Sequence, residues 1–154
     1  MQLLVFQIGK DRYAIDTERM VRVLPMLHLK AIPRASEGVL GLFLFSNTPV
    51  PVIDLGTFVS GRPTRARLST RILVMSHPEV DGRARLMGLL AERVLGITYR
   101  SEVELVDSGL KIAKAPYLNR LTSDDSGLIQ KIESPQLLPS DISDQLYREC
   151  FEGN

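Results

Sequence analysis

The chain of 154 residues has one cysteine, two histidines and no tryptophan. A single thiol, Cys150, forms no internal disulfide, and such a composition fits a reducing, cytosolic setting. Structural zinc takes about four Cys or His ligands. His28, His77 and Cys150 are all the chain offers, widely separated, so no metal site is expected. Cys150 falls on what reads as the apolar stripe of a C-terminal helix, which makes it a packed thiol and not a nucleophile beside a positioned base. Gly38-Val39-Leu40-Gly41 lacks the lysine of a phosphate cradle. Asp124-Asp125-Ser126-Gly127 lacks the alternating ligands of a calcium loop and reads as a hairpin turn. Glu102 and Glu104 lie in a stretch whose pattern specifies no element, so no acid–base role can be argued for them. The expectation is a protein that is not an enzyme and takes no cofactor.

Charge of one sign is also missing. Lys and Arg number 19 and Asp and Glu 18, a net charge of +1, so no overall field draws the chain to nucleic acid or anionic lipid. The one basic cluster is Arg62, Arg65, Arg67 and Arg71. It carries no interleaved aromatics, and it reads as a solvated linker loop with no nucleic acid bound. Long apolar runs are absent too: Val39 to Phe45 contains Gly41 and falls far short of the ~20 residues of a membrane helix. The apolar start from Met1 to Phe6 has no preceding base and runs straight into Lys10, Asp11 and Arg12, which is not the pattern of a signal peptide. The expected setting is cytoplasmic, with no direct membrane insertion. Any work at a membrane would pass through another protein.

What is present is an ordinary globular composition, 44% hydrophobic and 24% charged, which argues against disorder. Leu3 to Ile8, the turn Gly9 to Arg12 and Tyr13 to Ile15 read as a hairpin. Glu18 to Leu24 alternates, with Met20, Arg22 and Leu24 on one side and Val21 and Val23 on the other. Leu40 to Phe45 and Val50 to Leu55 form a second pair of strands around Ser46-Asn47-Thr48. Pro49 and Pro51 lack amide donors, so that strand should lie at an edge or turn those positions away from a neighbour. A short helical turn is expected after Leu55. Ile72 to Met75 and Leu86 to Ala91 flank the hairpin pair Asp81-Gly82. Val94 to Tyr99 continues, and Tyr117 to Thr122 and Leu128 to Ile132 enclose a last turn. Ser140 caps a helix with Ile142, Leu146 and Cys150 on one stripe. Eight to ten short strands with regular turns point to a mainly β fold of two small barrels packed together, covered at one end by the C-terminal helix. The basic loop at 60–71 is the expected boundary between them within a single domain, 1–154.

Four stretches in order resemble the CheW family of chemotaxis coupling proteins. The first is Leu4-Val5-Phe6-Gln7-Ile8-Gly9 with Tyr13-Ala14-Ile15-Asp16 and Val21. The second is Gly41 with Pro49-Val50-Pro51-Val52-Ile53-Asp54-Leu55, the most specific of the four. The third is Arg71-Ile72-Leu73-Val74 with Gly88-Leu89-Leu90-Ala91-Glu92-Arg93-Val94. The last is Leu128-Ile129 with Ile132-Glu133 and Leu137-Leu138. The resemblance implies two five-stranded SH3-like barrels on a shared core and a signal-transduction adaptor without catalytic activity. The implied partners are the regulatory domain of a CheA-type histidine kinase and the cytoplasmic tip of a chemoreceptor.

By that resemblance the kinase-binding residues are Met20, Arg22, Val39 and Gly41. Those facing the receptor are Leu44, Ser46, Leu86 and Met87. Each has a plainer alternative: Met20, Leu86 and Met87 as core, Arg22 as a solvated rim charge, Gly41 as a bulge residue. If Phe43 and Phe45 face inward, Leu42 and Leu44 face outward and form an apolar patch. The family's Asn-x-Arg-Gly motif before the proline strand is replaced here by Leu44-Phe45-Ser46-Asn47, which removes a guanidinium fork. This marks a divergent or accessory member, with self-association as a further option. The competing readings are an unrelated β-barrel interaction module, a small β enzyme and a nucleic-acid-binding barrel.

Overall fold

The computed structural model describes residues 1–80, 83–109 and 120–133, with backbone only at 77–80 and 83–84. The expected helix from Ser140 and the Asp81-Gly82 turn lie outside the described residues. Two sheets account for most of the rest. The chain starts as a hairpin of β1 (Gln2–Ile8) and β2 (Asp11–Asp16). Gly9, at φ 61°, takes the left-handed turn conformation that glycine adopts at no steric cost.

A 3₁₀ turn, Thr17–Arg19, is capped by the Asp16 side chain accepting from the Glu18 amide at 2.8 Å. It carries the chain into β3 (Met20–Pro25). Then come β4 (Val39–Phe45), β5 (Thr48–Asp54) and a short helix α1 (Leu55–Ser60). After a loop follow β6 (Arg71–Val80), β7 (Arg83–Ala91) and β8 (Arg93–Tyr99). The stretch after Tyr99, which no pattern specified, forms a 3₁₀ turn at Glu102–Glu104 and the two-residue β9 (Val106–Asp107). The described part closes with β10 (Arg120–Asp124) and β11 (Gly127–Ile132).

One sheet has six strands in the order β8-β1-β2-β11-β10-β9, and the other five in the order β3-β6-β7-β5-β4. Each contains one parallel pair, β11 with β2 and β5 with β7, in an otherwise antiparallel ladder. The loop at 60–71, expected as the boundary, has a definite place in this topology. That loop joins α1 to β6 inside the territory of the five-stranded sheet. The chain crosses between sheets at Thr17–Arg19 and again at Glu92, between β7 and β8. The five-stranded sheet is therefore one continuous segment set into the six-stranded one.

Three packed layers of apolar side chains follow from strand alternation. Leu4, Phe6, Ile8, Tyr13, Ile15 and Ile132 of the six-stranded sheet meet Ile53, Leu73, Met75, Met87, Leu89 and Ala91 of the five-stranded one. The alternate residues Val50, Val52, Ile72, Val74 and Leu90 fill the five-stranded sheet's own interior with Phe43. Leu3, Val5, Ala14, Leu105 and Ile129 fill that of the other. The strands β5, β6 and β7 are thus buried on both faces, which is why they read as unbroken apolar runs. Among the described residues no helix is long and apolar enough to cross a membrane.

Ion pairs tie the late strands back to the early ones. Lys131 is 3% exposed, and its Nζ donates to Glu133 Oε2 at 2.7 Å. Arg120 donates to Glu133 Oε1 at 2.7 Å and to Glu102 at 2.8 Å. Burial raises the Glu133 pKa, but the hydrogen bonds from Lys131 and Arg120 outweigh it and hold the carboxyl below its ordinary value. Arg12 grips both oxygens of Asp124, at 2.8 and 2.6 Å. That side-chain bond, with the Ser126 amide, lowers the Asp124 pKa from 3.8 to about 2. A depressed carboxylate stabilises the fold above its unfolded pKa and loses that contribution as pH falls through the folded one. The Asp124 share is therefore present above 3.8 and lost towards pH 2. Carboxyl-carbon NMR titration should place the midpoint near 2, and in Arg12→Gln it should return towards 3.8. An unmoved midpoint in the variant would refute the pairing.

Candidate functional site

The five-stranded sheet ends in β3 on one side and β4 on the other. Its curl is closed at one point. Lys30, beyond β3, bridges Leu42 of β4 with two hydrogen bonds, Lys30 N–H to Leu42 O at 2.8 Å and Leu42 N–H to Lys30 O at 2.9 Å. Leu42 therefore turns its backbone groups away from β5. Its partner there is Pro51, and Pro49 faces Leu44 in the same register. The prolines thus occupy the positions of the ladder where β5 donates nothing to β4. β5 is not an edge strand, so the second of the two expectations for these prolines is the one realised. By the same alternation Leu44 directs its amide and carbonyl to the sheet's outer edge, and among the described residues no bridge continues past Leu42.

The hairpin joining β4 to β5 presents this edge. Phe43 is buried, Phe45 half-buried, and Leu44 is 64% exposed. Leu42, expected to face outward, is half-buried because the Lys30 segment lies along it. Ser46 and Asn47 form the two-residue turn with φ 48° and 63°. Positive φ at both positions is the type I′ pattern, and asparagine tolerates it where the family motif has glycine. Ser46 is exposed at the tip. Across the gap between the sheet's two ends, the Arg22 guanidinium lies 5.6 Å from the centroid of the Phe45 ring, within cation–π range. Arg22, assigned to the kinase side, and the hairpin, assigned to the receptor side, therefore meet at one place.

The remaining assigned residues have less surface to give. Met20 and Val39 are half-buried and pack on the layer between the sheets. Gly41 is buried, and a side chain there would meet the protein's own backbone, as a Cβ would lie 2.5 Å from the Lys30 carbonyl oxygen. It sits beside the β4 bulge between Val39 and Gly41, so its need for glycine is internal. Met87 is 4% exposed in the layer between the sheets, and that burial leaves its side chain no contact to offer a partner. Leu86 is half-buried against the five-stranded sheet's interior. Val21 and Val23, counted as the opposite face of β3, are both exposed. As an end strand, β3 buries neither face fully, so period-2 alternation did not mark them.

The Pro51-to-Leu55 segment also acquires a physical role. Asp54 is 1% exposed and caps α1. Its carboxylate accepts from the Gly56 amide at 3.0 Å, the Thr57 hydroxyl at 3.1 Å and the Thr64 amide at 2.8 Å. It is a structural clamp at the end of β5, satisfied by three donors.

Comparison with known proteins agrees with this geometry. The model of a family described as "CheW-like domain" matches residues 2–141. No protein among curated sequences matches the chain. Among solved structures, the scaffolding protein TtCheW from Thermoanaerobacter tengcongensis superposes with a TM-score of 0.76 over 90% of this chain and 87% of that one. Sequence identity is 19%, so the likeness is one of fold: a mainly β body in which the two sheets are two SH3-like barrels.

Proposed function

The chain belongs to the CheW-like domain family, and from that premise we propose that it is a non-enzymatic adaptor linking a chemoreceptor's cytoplasmic tip to the regulatory domain of a CheA-type kinase. It would work in the cytoplasm and reach membrane arrays through protein contacts, with no cofactor. One observation supports this most directly. Both end strands of the five-stranded barrel expose aliphatic side chains, Val21 and Val23 on β3 and Leu44 on β4, and Arg22 stacked on Phe45 joins them. Exposed aliphatics beside an arginine on the end strands of a sheet are what a protein interface uses. An adaptor needs two such surfaces held rigidly together, which a shared core provides.

Of the expected kinase-side residues Arg22 is the exposed one, and its β3 neighbours Val21 and Val23 extend that surface; of the expected receptor side, Leu44 and Ser46 are exposed. The test is calorimetric binding to each partner separately. Val21→Asp with Val23→Asp should weaken the kinase regulatory domain about tenfold, ~1.4 kcal/mol, and leave Tm near that of the unaltered chain. Leu44→Asn with Ser46→Arg, which restores the asparagine and the arginine of the family motif, should raise affinity for the receptor tip. Undiminished kinase binding and unchanged receptor binding would together remove the reading.

A further inference from the structure

We propose a second docking surface, for an acidic polypeptide segment of a partner, in the cleft between the loop at 61–70 and the β1–β2 hairpin. The cleft is open, about 810 Å³, and is lined by Lys10, Arg62, Arg65 and Arg67. It shares no lining residue with the β3–β4 surface, so both can be occupied at once.

The loop that carries the arginines has no regular secondary structure, yet its backbone is fastened at two buried polar side chains. Asp54 holds the Thr64 amide. Thr70, 1% exposed, accepts from the Arg67 amide at 2.8 Å and donates to the Arg65 carbonyl at 3.1 Å. Gly56 lets the loop lie against α1, since a Cβ there would come within 2.5 Å of Thr64 Oγ1 and 2.7 Å of the Arg62 carbonyl oxygen. A solvated linker has no use for buried anchors of this kind.

The three arginines of the loop differ from Arg71, which opens β6, in what they do. Arg71 turns its guanidinium inward, donating to the Leu68 and Thr70 carbonyls at 2.7 and 2.9 Å. Arg62, Arg65 and Arg67 are exposed and have no ion-pair partner among the described residues. A fixed backbone presenting unpaired guanidinium groups is preorganised for carboxylates, which lowers the ordering cost of binding.

The rest of the lining narrows the ligand. Among the described residues no aromatic side chain lines the cleft, so those walls offer bases nothing to stack on. Asp11 and Glu92 also line it, and Glu92 Oε2 already accepts from the Gly9 amide at 3.0 Å. Two acids on the wall repel a uniformly charged phosphate backbone but tolerate a polypeptide whose acidic residues are spaced. The cations come from three positions of the loop and from Lys10 of the facing hairpin, a spread of charge along the cleft that suits an extended chain better than a single small anion.

The test uses the full chain and a fluorescein-labelled ten-residue peptide of alternating Glu and Ser, with a Gln–Ser peptide carrying the same dye as control. Anisotropy titrations at 50 and 300 mM NaCl should show binding of the Glu peptide alone, weaker at the higher salt. Arg62→Gln, Arg65→Gln and Arg67→Gln together should weaken it at least about tenfold, each exposed pair being worth up to a few-fold. Thr70→Val changes no charge but frees the loop backbone, and should weaken binding several-fold, with Thr70→Ser restoring it. Kinase-domain binding by the triple variant should be unchanged. An unaffected triple variant, no binding of the Glu peptide, or tighter binding of a single-stranded oligonucleotide would each overturn the proposal.

Discussion

Gly41→Ala is expected to destabilise the protein by about 3–5 kcal/mol, the sum of backbone strain of ~1–3 kcal/mol and two hydrogen bonds of ~1 kcal/mol each. Gly41 sits at φ 147°, where side chains are rarely accommodated. The added Cβ would lie 2.5 Å from the Lys30 carbonyl oxygen and 3.0 Å from its carbon. Those are backbone atoms, so relief requires the whole Lys30 segment to retreat. The retreat breaks the Lys30–Leu42 pair that closes the five-stranded barrel. For a chain of this size the melting temperature should fall by roughly 6–20 °C. A loss below ~1 kcal/mol in urea unfolding would show that the segment yields freely. Any drop in kinase binding by this variant would report an opened barrel and not a lost contact, which is why Val21 and Val23 make the better probes.

Asp54→Ala should cost about 2–5 kcal/mol. Loss of the cap alone is worth ~0.5–2 kcal/mol, and the donors left facing a buried void add ~1–3 kcal/mol. Asp54→Asn should recover only part of this. Its amide offers one acceptor oxygen and sets an NH₂ group against one of the donors, Gly56 N–H, Thr57 O–H or Thr64 N–H, that the carboxylate now satisfies. Thermal melts of the three proteins should rank Asp above Asn above Ala. Equal melts for Asn and Ala would mean that the second oxygen, and not the first, holds the clamp. Because Asp54 also holds Thr64, both variants should loosen the arginine loop and weaken the acidic-peptide complex.

The strands were legible wherever one face met solvent or a turn residue marked the end. Gly9 and the Asp125-Ser126 pair delimit hairpins through backbone chemistry that side-chain type alone reveals. The alternation Phe43, Leu44, Phe45 assigned faces correctly because β4 is an end strand with one face buried. The burial of Met87 was not legible, for the opposite reason. In β7 both faces are buried, Leu86-Met87-Gly88-Leu89-Leu90 shows no period, and nothing local says which layer a residue enters. Arg62-Pro63-Thr64-Arg65 has the composition of a linker, whereas the crossing between sheets at Glu92 is a single residue between strands and leaves no compositional mark. The Asp54 cap did leave a signal: an aspartate at the end of an apolar strand, Thr57 three residues on, and Gly61 past the helix end. The hold of Thr70 on Arg65 and Arg67 left none, since it depends on how a loop folds back upon a buried hydroxyl.

The parallel pairing of β11 with β2, more than a hundred residues apart, sets the order in which a ribosome can release a finished molecule. Vectorial synthesis delivers β1 and β2 first, yet their sheet lacks a neighbour for β2 until residues 127–132 have emerged. The segment Met20–Ala91 can meanwhile form its own sheet, with Leu73, Met75 and Leu89 left on an open face. A nascent chain at that stage displays an apolar surface that the finished molecule covers with β1, β2 and Ile132.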